Sequence, residues 1–167
     1  DDRMLYYLTD EGSEFQHLVS YDLESGEKKT VFETNWDVWY AYESYNGKYR
    51  VIGINEDGRT NVKLFDLESG SELDFPDVDG KSVSSVSISR DEQHMRLTAS
   101  DSRSPSDIYV HHFAGGSTVR LTDNLNPAIK YEDLVEAEVV RFESFDGLEI
   151  PAIYYKPHGA GADNQVP

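Results

Sequence analysis

The sequence predicts an all-β protein, a partial β-propeller of four-stranded antiparallel blades followed by a β-hairpin. Three observations carry this. A glycine-ended unit recurs at Gly26, Gly70 and Gly116, 44 and then 46 residues apart, a period typical of propeller blades. Its first two copies, Tyr21-Asp22-Leu23-Glu24-Ser25-Gly26 and Phe65-Asp66-Leu67-Glu68-Ser69-Gly70, are nearly identical, and the third, His111-His112-Phe113-Ala114-Gly115-Gly116, is degraded. Between these units run short apolar segments closed by tight-turn residues, with almost no helical periodicity.

The elements follow in order. The first unit reads as strands over 4–8, 15–22 and 28–32 and lacks an opening strand. In the second, 38–45 alternates large and small residues, and Asn46-Gly47 turns the chain into a strand over 49–54. Glu56-Asp57-Gly58 leads into 61–66, and Glu68-Ser69-Gly70 into 72–75. Residues 76–81 link to the next unit. The third unit repeats the order: strand 83–89, turn 90–93, strand 94–99, a polar loop over 100–106 containing Pro105, strand 108–113, Gly115-Gly116, and strand 118–122. The one short helical candidate is 131–135, after Pro127. Strands over 139–145 and 148–155 then meet at Asp146-Gly147, an efficient hairpin signal. Residues 1–125 are therefore read as blades, 126–157 as a connection and hairpin, and 158–167 as a polar linker.

Propellers have about four to eight blades, so two full units and one incomplete unit look cut from a larger ring. Blade faces left open in such a piece are expected to be covered by a second copy of the chain.

Composition narrows the function. With 32 acidic against 15 basic residues the formal net charge is −17, which argues against nucleic acid and against an anionic membrane surface as partners. The bland reading of this acidity is solubility. There is no cysteine, so disulfides and thiolate metal sites are excluded. No stretch approaches about 18 consecutive apolar residues, the length of a membrane-spanning helix.

The segment Arg141-Phe142-Glu143-Ser144-Phe145-Asp146-Gly147-Leu148-Glu149-Ile150-Pro151-Ala152-Ile153-Tyr154-Tyr155-Lys156-Pro157 resembles the lead into the hydrolase domain of the prolyl oligopeptidase family of serine peptidases. Its position after propeller-like repeats fits that family's layout. The acylaminoacyl-peptidase and dipeptidyl-peptidase branches are the nearest in pattern, and the residues do not separate them. The resemblance implies a non-catalytic blade segment that gates the access of short peptides to a hydrolase domain. That family's nucleophile sits in a Gly-x-Ser-x-Gly elbow, and no such motif occurs in these residues. No catalytic, cofactor-binding or metal-binding residue is therefore assigned, and no cofactor is expected. The alternative is a stand-alone propeller module that binds proteins through its loops.

Other constellations favour structural roles. His158-Gly159-Ala160-Gly161 has backbone N–H groups of the kind an oxyanion loop uses, but a Lys-Pro leads into it where an apolar strand is needed, so it reads as linker. His111 and His112 are adjacent in a strand and point to opposite faces, so they cannot chelate one metal ion together. Asp77-Val78-Asp79-Gly80 lacks the remaining acidic ligands of a calcium loop and reads as a turn. Asp10-Glu11, Glu56-Asp57 and Asp91-Glu92 are expected at solvated turn tips, without acid–base work. Trp36, Trp39, Tyr40 and Tyr42 fit packing between blades better than an exposed binding platform.

Overall fold

The computed structural model describes residues 3–165. Asp1, Asp2, Val166 and Pro167, at the ends of the expected blade segment and linker, lie outside the described residues. The first sheet holds β1 (Met4–Thr9), β2 (His17–Asp22) and β3 (Lys28–Phe32) in that order. The second runs β4 (Asp37–Glu43), β5 (Tyr49–Glu56), β6 (Arg59–Asp66) and β7 (Ser71–Leu73). The third runs β8 (Ser82–Ile88), β9 (His94–Asp101), β10 (Ser104–His112) and β11 (Thr118–Arg120). Every neighbouring pair is antiparallel. A separate two-stranded ribbon, β12 (Ala137–Glu143) and β13 (Glu149–Tyr155), follows. The all-β, four-stranded blade plan is thus the one found.

The three repeat glycines occupy equivalent places, at the last turn of each sheet. Each adopts the left-handed backbone, at φ 74°, 71° and 67°, where glycine carries no Cβ penalty. Each N–H donates to the carbonyl four residues back, Asp22, Asp66 or His112. In the first two turns the aspartate also caps the loop: Asp22 Oδ1 accepts the N–H groups of Glu24 and Ser25, and Asp66 Oδ1 that of Ser69. His112 cannot replace that acceptor in the same way, and there Gly115 is left-handed as well, at φ 88°. One more bond recurs in all three sheets. Leu23, Leu67 and Phe113 donate their N–H groups to the carbonyls of Arg3, Lys48 and Gln93.

Burial follows the apolar pattern. β5 reads Val51-Ile52-Gly53-Ile54 and is buried at all four positions, because the middle sheet is covered on both faces. Ile52 and Ile54 pack with Leu18 and Val38 toward the first sheet. Val51 packs with Leu64, Met95, Leu97, Ala99 and Tyr109 toward the third. β9 buries Met95, Leu97 and Ala99 in strict alternation, so the third sheet offers only one face to this core. Full burial of a side chain such as Leu97 contributes about 2 kcal/mol. Rings bridge the sheets: Phe32 meets Phe65 edge-on at 5.9 Å, and Tyr49 stacks on Phe113 at 4.3 Å.

A carboxylate also joins the second and third sheets. Glu92, only 6% exposed, accepts from the Ser44 hydroxyl and from the N–H groups of Asn46 and Lys48. The Ser44 donation leads the interactions that hold its carboxyl below the ordinary value. This corrects the expectation that Asp91-Glu92 is merely solvated. Glu92 has φ 55°, an unfavourable backbone for a residue with a Cβ. Glu92→Gly relieves that backbone but loses the link, whereas Glu92→Ala loses the link and keeps the strain. The expected order of thermal unfolding midpoints is wild type, then Glu92→Gly, then Glu92→Ala.

Most strand ends shift by one or two residues from the sequence reading, and three boundaries differ in kind or position enough to matter. The loop over 100–106 is a two-residue turn at Ser102-Arg103, and β10 starts at Ser104 with a register shift before Asp107. Pro105, which lacks an N–H, is accommodated in that bulge. The helix candidate over 131–135 is a single 3-10 turn, Tyr131–Asp133, too short to propagate as an α-helix. The ribbon begins at Ala137, two residues before the apolar run suggests.

Candidate docking face of the blades

Antiparallel order sorts the turns onto two rims. The turn between the second and third strands of a full blade, 57–58 or 102–103, shares one rim with the inter-sheet link 74–81. The glycine-ended turns lie on the other. The β12–β13 ribbon sits on the first rim.

Asp57 and Gly58 form a two-residue hairpin turn with both residues left-handed, at φ 52° and 71°. The turn presents the Asp57 carboxylate outward, and one Arg141 terminal nitrogen bonds both of its oxygens. Arg141 also pairs through Nε with Glu149 on its own ribbon, at 3.1 Å. The Asp57 carboxylate holds the guanidinium even further above neutral pH than usual. At the next turn the Ser102 hydroxyl accepts the Ala137 N–H at 2.9 Å, and Arg103 pairs with Glu136 at 3.1 Å. The Arg103 guanidinium also lies 4.3 Å from the Tyr131 ring centre, which seats the 3-10 turn.

Asp101 anchors this corner. It accepts the Arg103 N–H at 2.7 Å and the Tyr131 hydroxyl at 3.3 Å. It also faces the Lys81 ammonium at 3.7 Å, and Lys81 donates to the Ser104 hydroxyl. Burial opposes its charge, but the Arg103 N–H and the Lys81 ammonium outweigh burial and keep the carboxyl below its ordinary value.

Two clefts undercut the ribbon. One, of about 740 Å³, runs between the 57–58 turn, the 75–83 link and Val139. The other, of about 280 Å³, lies between Gly58, Asp101 and the ribbon side chains Val139, Ile153 and Tyr155. Arg59 lines both. The ribbon's two faces differ. Val139, Arg141, Ile153 and Tyr155 share the face turned to the blades, and Val140, Phe142, Ile150 and Tyr154 share the other. Large side chains stay exposed on both: Phe142 is 53% and Tyr154 45% exposed on the outer face, and Ile153 and Tyr155 are each 55% exposed on the inner one.

The other sequence candidates fall as follows. His111 and His112 lie on opposite faces of β10: His112 meets His94 edge-on at 4.8 Å, and His111 packs edge-on to Phe113 at 5.6 Å. Burial pushes the His111 imidazole below its ordinary value. In 77–80, Asp77 Oδ1 accepts the Gly80 N–H, and Asp79 accepts the Tyr109 hydroxyl. His158-Gly159-Ala160-Gly161 is a surface loop, tied by the Asn164 amide to the Gly159 carbonyl. Trp36, Tyr40 and Tyr42 pack between sheets, whereas Trp39 sits at a bulge of β4 and is 57% exposed. Glu11 of the first acidic pair is bonded by Lys28 at 2.8 Å. Asp57 is legible in sequence only as a turn residue. Arg141, 84 residues away, carries no local signal of their pairing. Among the described residues no helix is long and apolar enough to cross a membrane.

Residues 1–124 match the family model of the prolyl oligopeptidase N-terminal β-propeller domain. No curated protein sequence matches the chain. Prolyl oligopeptidase B from Galerina marginata, solved with a 35mer hydrolysis and macrocyclization substrate, superposes with a TM-score of 0.74 at 19% identity, over 92% of this chain and 22% of that one. A puromycin-hydrolyzing peptidase of Mycobacterium tuberculosis gives 0.75 at 13% identity, over 100% of this chain and 26% of that one. One of two prolyl endopeptidases studied for inter-domain dynamics gives 0.75 at 17% identity, over 96% and 24%. At these identities the likeness is one of fold, and the chain spans about a quarter of the length of these structures. With its propeller segment matched across 1–124, the chain belongs to the prolyl oligopeptidase family.

Proposed function

We propose that this chain is the late-blade segment of a serine peptidase, and that it restricts access of short peptides to a hydrolase domain joined through the β12–β13 ribbon. The observation that carries the reading is the ribbon itself. It follows the third sheet, docks on one rim, and keeps its outer apolar face, with Phe142 and Tyr154, uncovered. A two-stranded ribbon is marginal alone, so that face calls for a further sheet or helix. A hydrolase sheet supplies one in the family's layout. The blades' contribution is steric: a rigid ring shields the reacting centre from water and from folded proteins. Cleavage of short acylated peptides or dipeptide units fits this gate equally well. The blades themselves perform no chemistry in this reading.

The test is to read the gene beyond Pro167 and assay the longer product on chromogenic peptides of increasing length. The expected result is a Gly-x-Ser-x-Gly elbow, turnover of short peptides that a serine-directed inhibitor abolishes, and a size limit that disappears when 1–124 is deleted. A stop codon or an unrelated domain after the ribbon would favour a stand-alone protein-binding module.

A further inference from the structure

We infer that the β12–β13 ribbon is a strap held to the blades by charge, with Asp57 and Arg141 as its clasp. The inference goes beyond the proposed peptidase role and rests on the geometry of ribbon and rim alone.

The ribbon pairs with no blade strand. The cleft of about 280 Å³ lies between the blades and its inner-face side chains Val139, Ile153 and Tyr155, so it lacks the continuous apolar contact that fixes the sheets to one another. Its apolar contact at the rim is modest: Ile153 and Tyr155, on the face turned to the blades, are each 55% exposed. The polar links are Arg141 to Asp57, Ala137 N–H to Ser102, and Glu136 to Arg103.

The clasp is specifically built. Asp57 holds a left-handed backbone at φ 52°, which aspartate tolerates better than most residues but which glycine adopts freely. Arg141 grips both of its oxygens from 84 residues away and is itself steadied by Glu149. Such a bond between two charged groups is stronger than one between neutral groups. The pair is only partly shielded, with the Arg141 side chain 41% and Asp57 27% exposed, so salt weakens it. Once unclasped, the ribbon loses the support that a two-stranded hairpin needs, and its own ladder opens more often. Docked, it fixes the direction in which the chain leaves the blades. Released, it frees that direction.

Hydrogen exchange of the β12–β13 amides in the whole chain tests this, with the β5 and β9 amides as a folding control. Asp57→Asn and Arg141→Gln are each expected to speed ribbon exchange about fivefold, the scale of one partly exposed ion pair. The double variant should be no faster than Arg141→Gln alone, because that change already removes the Asp57 bond along with the Glu149 pair. Arg141→Lys, which keeps the charge but cannot hold Asp57 and Glu149 through separate nitrogens, should fall between. Raising salt should bring the wild type toward the variants and move the variants less, through the Glu136–Arg103 pair that they keep. Asp57→Gly separates charge from backbone: it relaxes the turn yet should release the ribbon as Asp57→Asn does. Unchanged exchange in the single variants, additive effects in the double, or indifference to salt would each overturn the clasp. None of these readouts depends on a hydrolase domain or on peptidase activity.

Discussion

Replacing Asp107 by alanine is expected to lower stability by about 2–3 kcal/mol, the scale of losing hydrogen bonds to a buried charged group. Asp107 is fully buried at the start of the paired run of β10. Its carboxylate accepts from the Arg120 guanidinium, from the Thr122 hydroxyl at 2.8 Å and from the Asn124 N–H at 3.1 Å. Thr122 in turn accepts the Ile108 N–H at 2.9 Å, and Asn124 donates to the Ser106 carbonyl. One side chain therefore ties the last strand of the third sheet, and the first residues after it, to the bulge at 104–107. Removing it takes the shared acceptor from the Thr122 hydroxyl and the Asn124 N–H, while Arg120, 37% exposed, keeps Asp123 as its second partner at 2.8 Å. Asp107→Asn keeps one acceptor but turns an NH₂ group toward the other donors, so it should recover little. Denaturant unfolding measures the loss, and a double-mutant cycle with Arg120→Ala should give a coupling of about 1 kcal/mol or more.

The same network sets an acid limit. Burial alone would raise the Asp107 pKa, but donation from Thr122, Arg120 and Asn124 outweighs it and leaves the carboxyl below its ordinary value. A carboxyl depressed in the folded state adds stability that is complete above its unfolded value, about 3.9. That stability is lost as pH falls through the unfolded value toward the folded one. Wild type should therefore weaken below about pH 4 more steeply than Asp107→Ala, whose acid limb should be flatter. Equal slopes would show that the carboxylate is not held in its charged form.

What the sequence discloses here is local, and what it hides is long-range. The blade turns are legible because Asn46-Gly47, Asp57-Gly58 and Asp146-Gly147 carry their own conformational preference. The repeat glycines are legible because each serves the same left-handed turn. Pro105 misleads, since proline usually interrupts a strand, and only the bulge before Asp107 shows how β10 absorbs it. The charges mislead too. Glu92 reads as one more acid at a turn tip, yet it becomes a buried acceptor once the preceding sheet packs against it. The docking rim is the least legible part. Asp57, Ser102, Arg103 and Arg141 meet through the relative placement of two sheets and a ribbon, which no short-range pattern records.

Gly53→Ala is expected to cost about 2 kcal/mol, the scale of an overpacked core. Backbone propensity alone predicts the opposite sign, because alanine usually improves on glycine inside a strand by about 0.5–1 kcal/mol. Gly53 faces Tyr40 across the β4–β5 ladder. An added Cβ would overlap Tyr40 Cε1 and Cζ, far inside contact distance. The ring lies over the bare glycine backbone and has little room to retreat. It is backed by Tyr42 at 6.4 Å in near-parallel stacking, and Tyr42 donates its hydroxyl to the Val86 carbonyl of the third sheet at 2.8 Å. Displacing Tyr40 therefore pushes on the joint between two sheets. Tyr40→Ala should remove the clash, so the double variant should be more stable than the sum of the two single losses allows. The Tyr40 hydroxyl offers a second check, because it is buried without a hydrogen-bond partner among the described residues. Tyr40→Phe should then be neutral, or stabilising by about 1 kcal/mol, since it removes a desolvated polar group and no bond. A clear loss in Tyr40→Phe would show that the hydroxyl is satisfied. A neutral Gly53→Ala would show that the ring can leave the glycine without disturbing the joint.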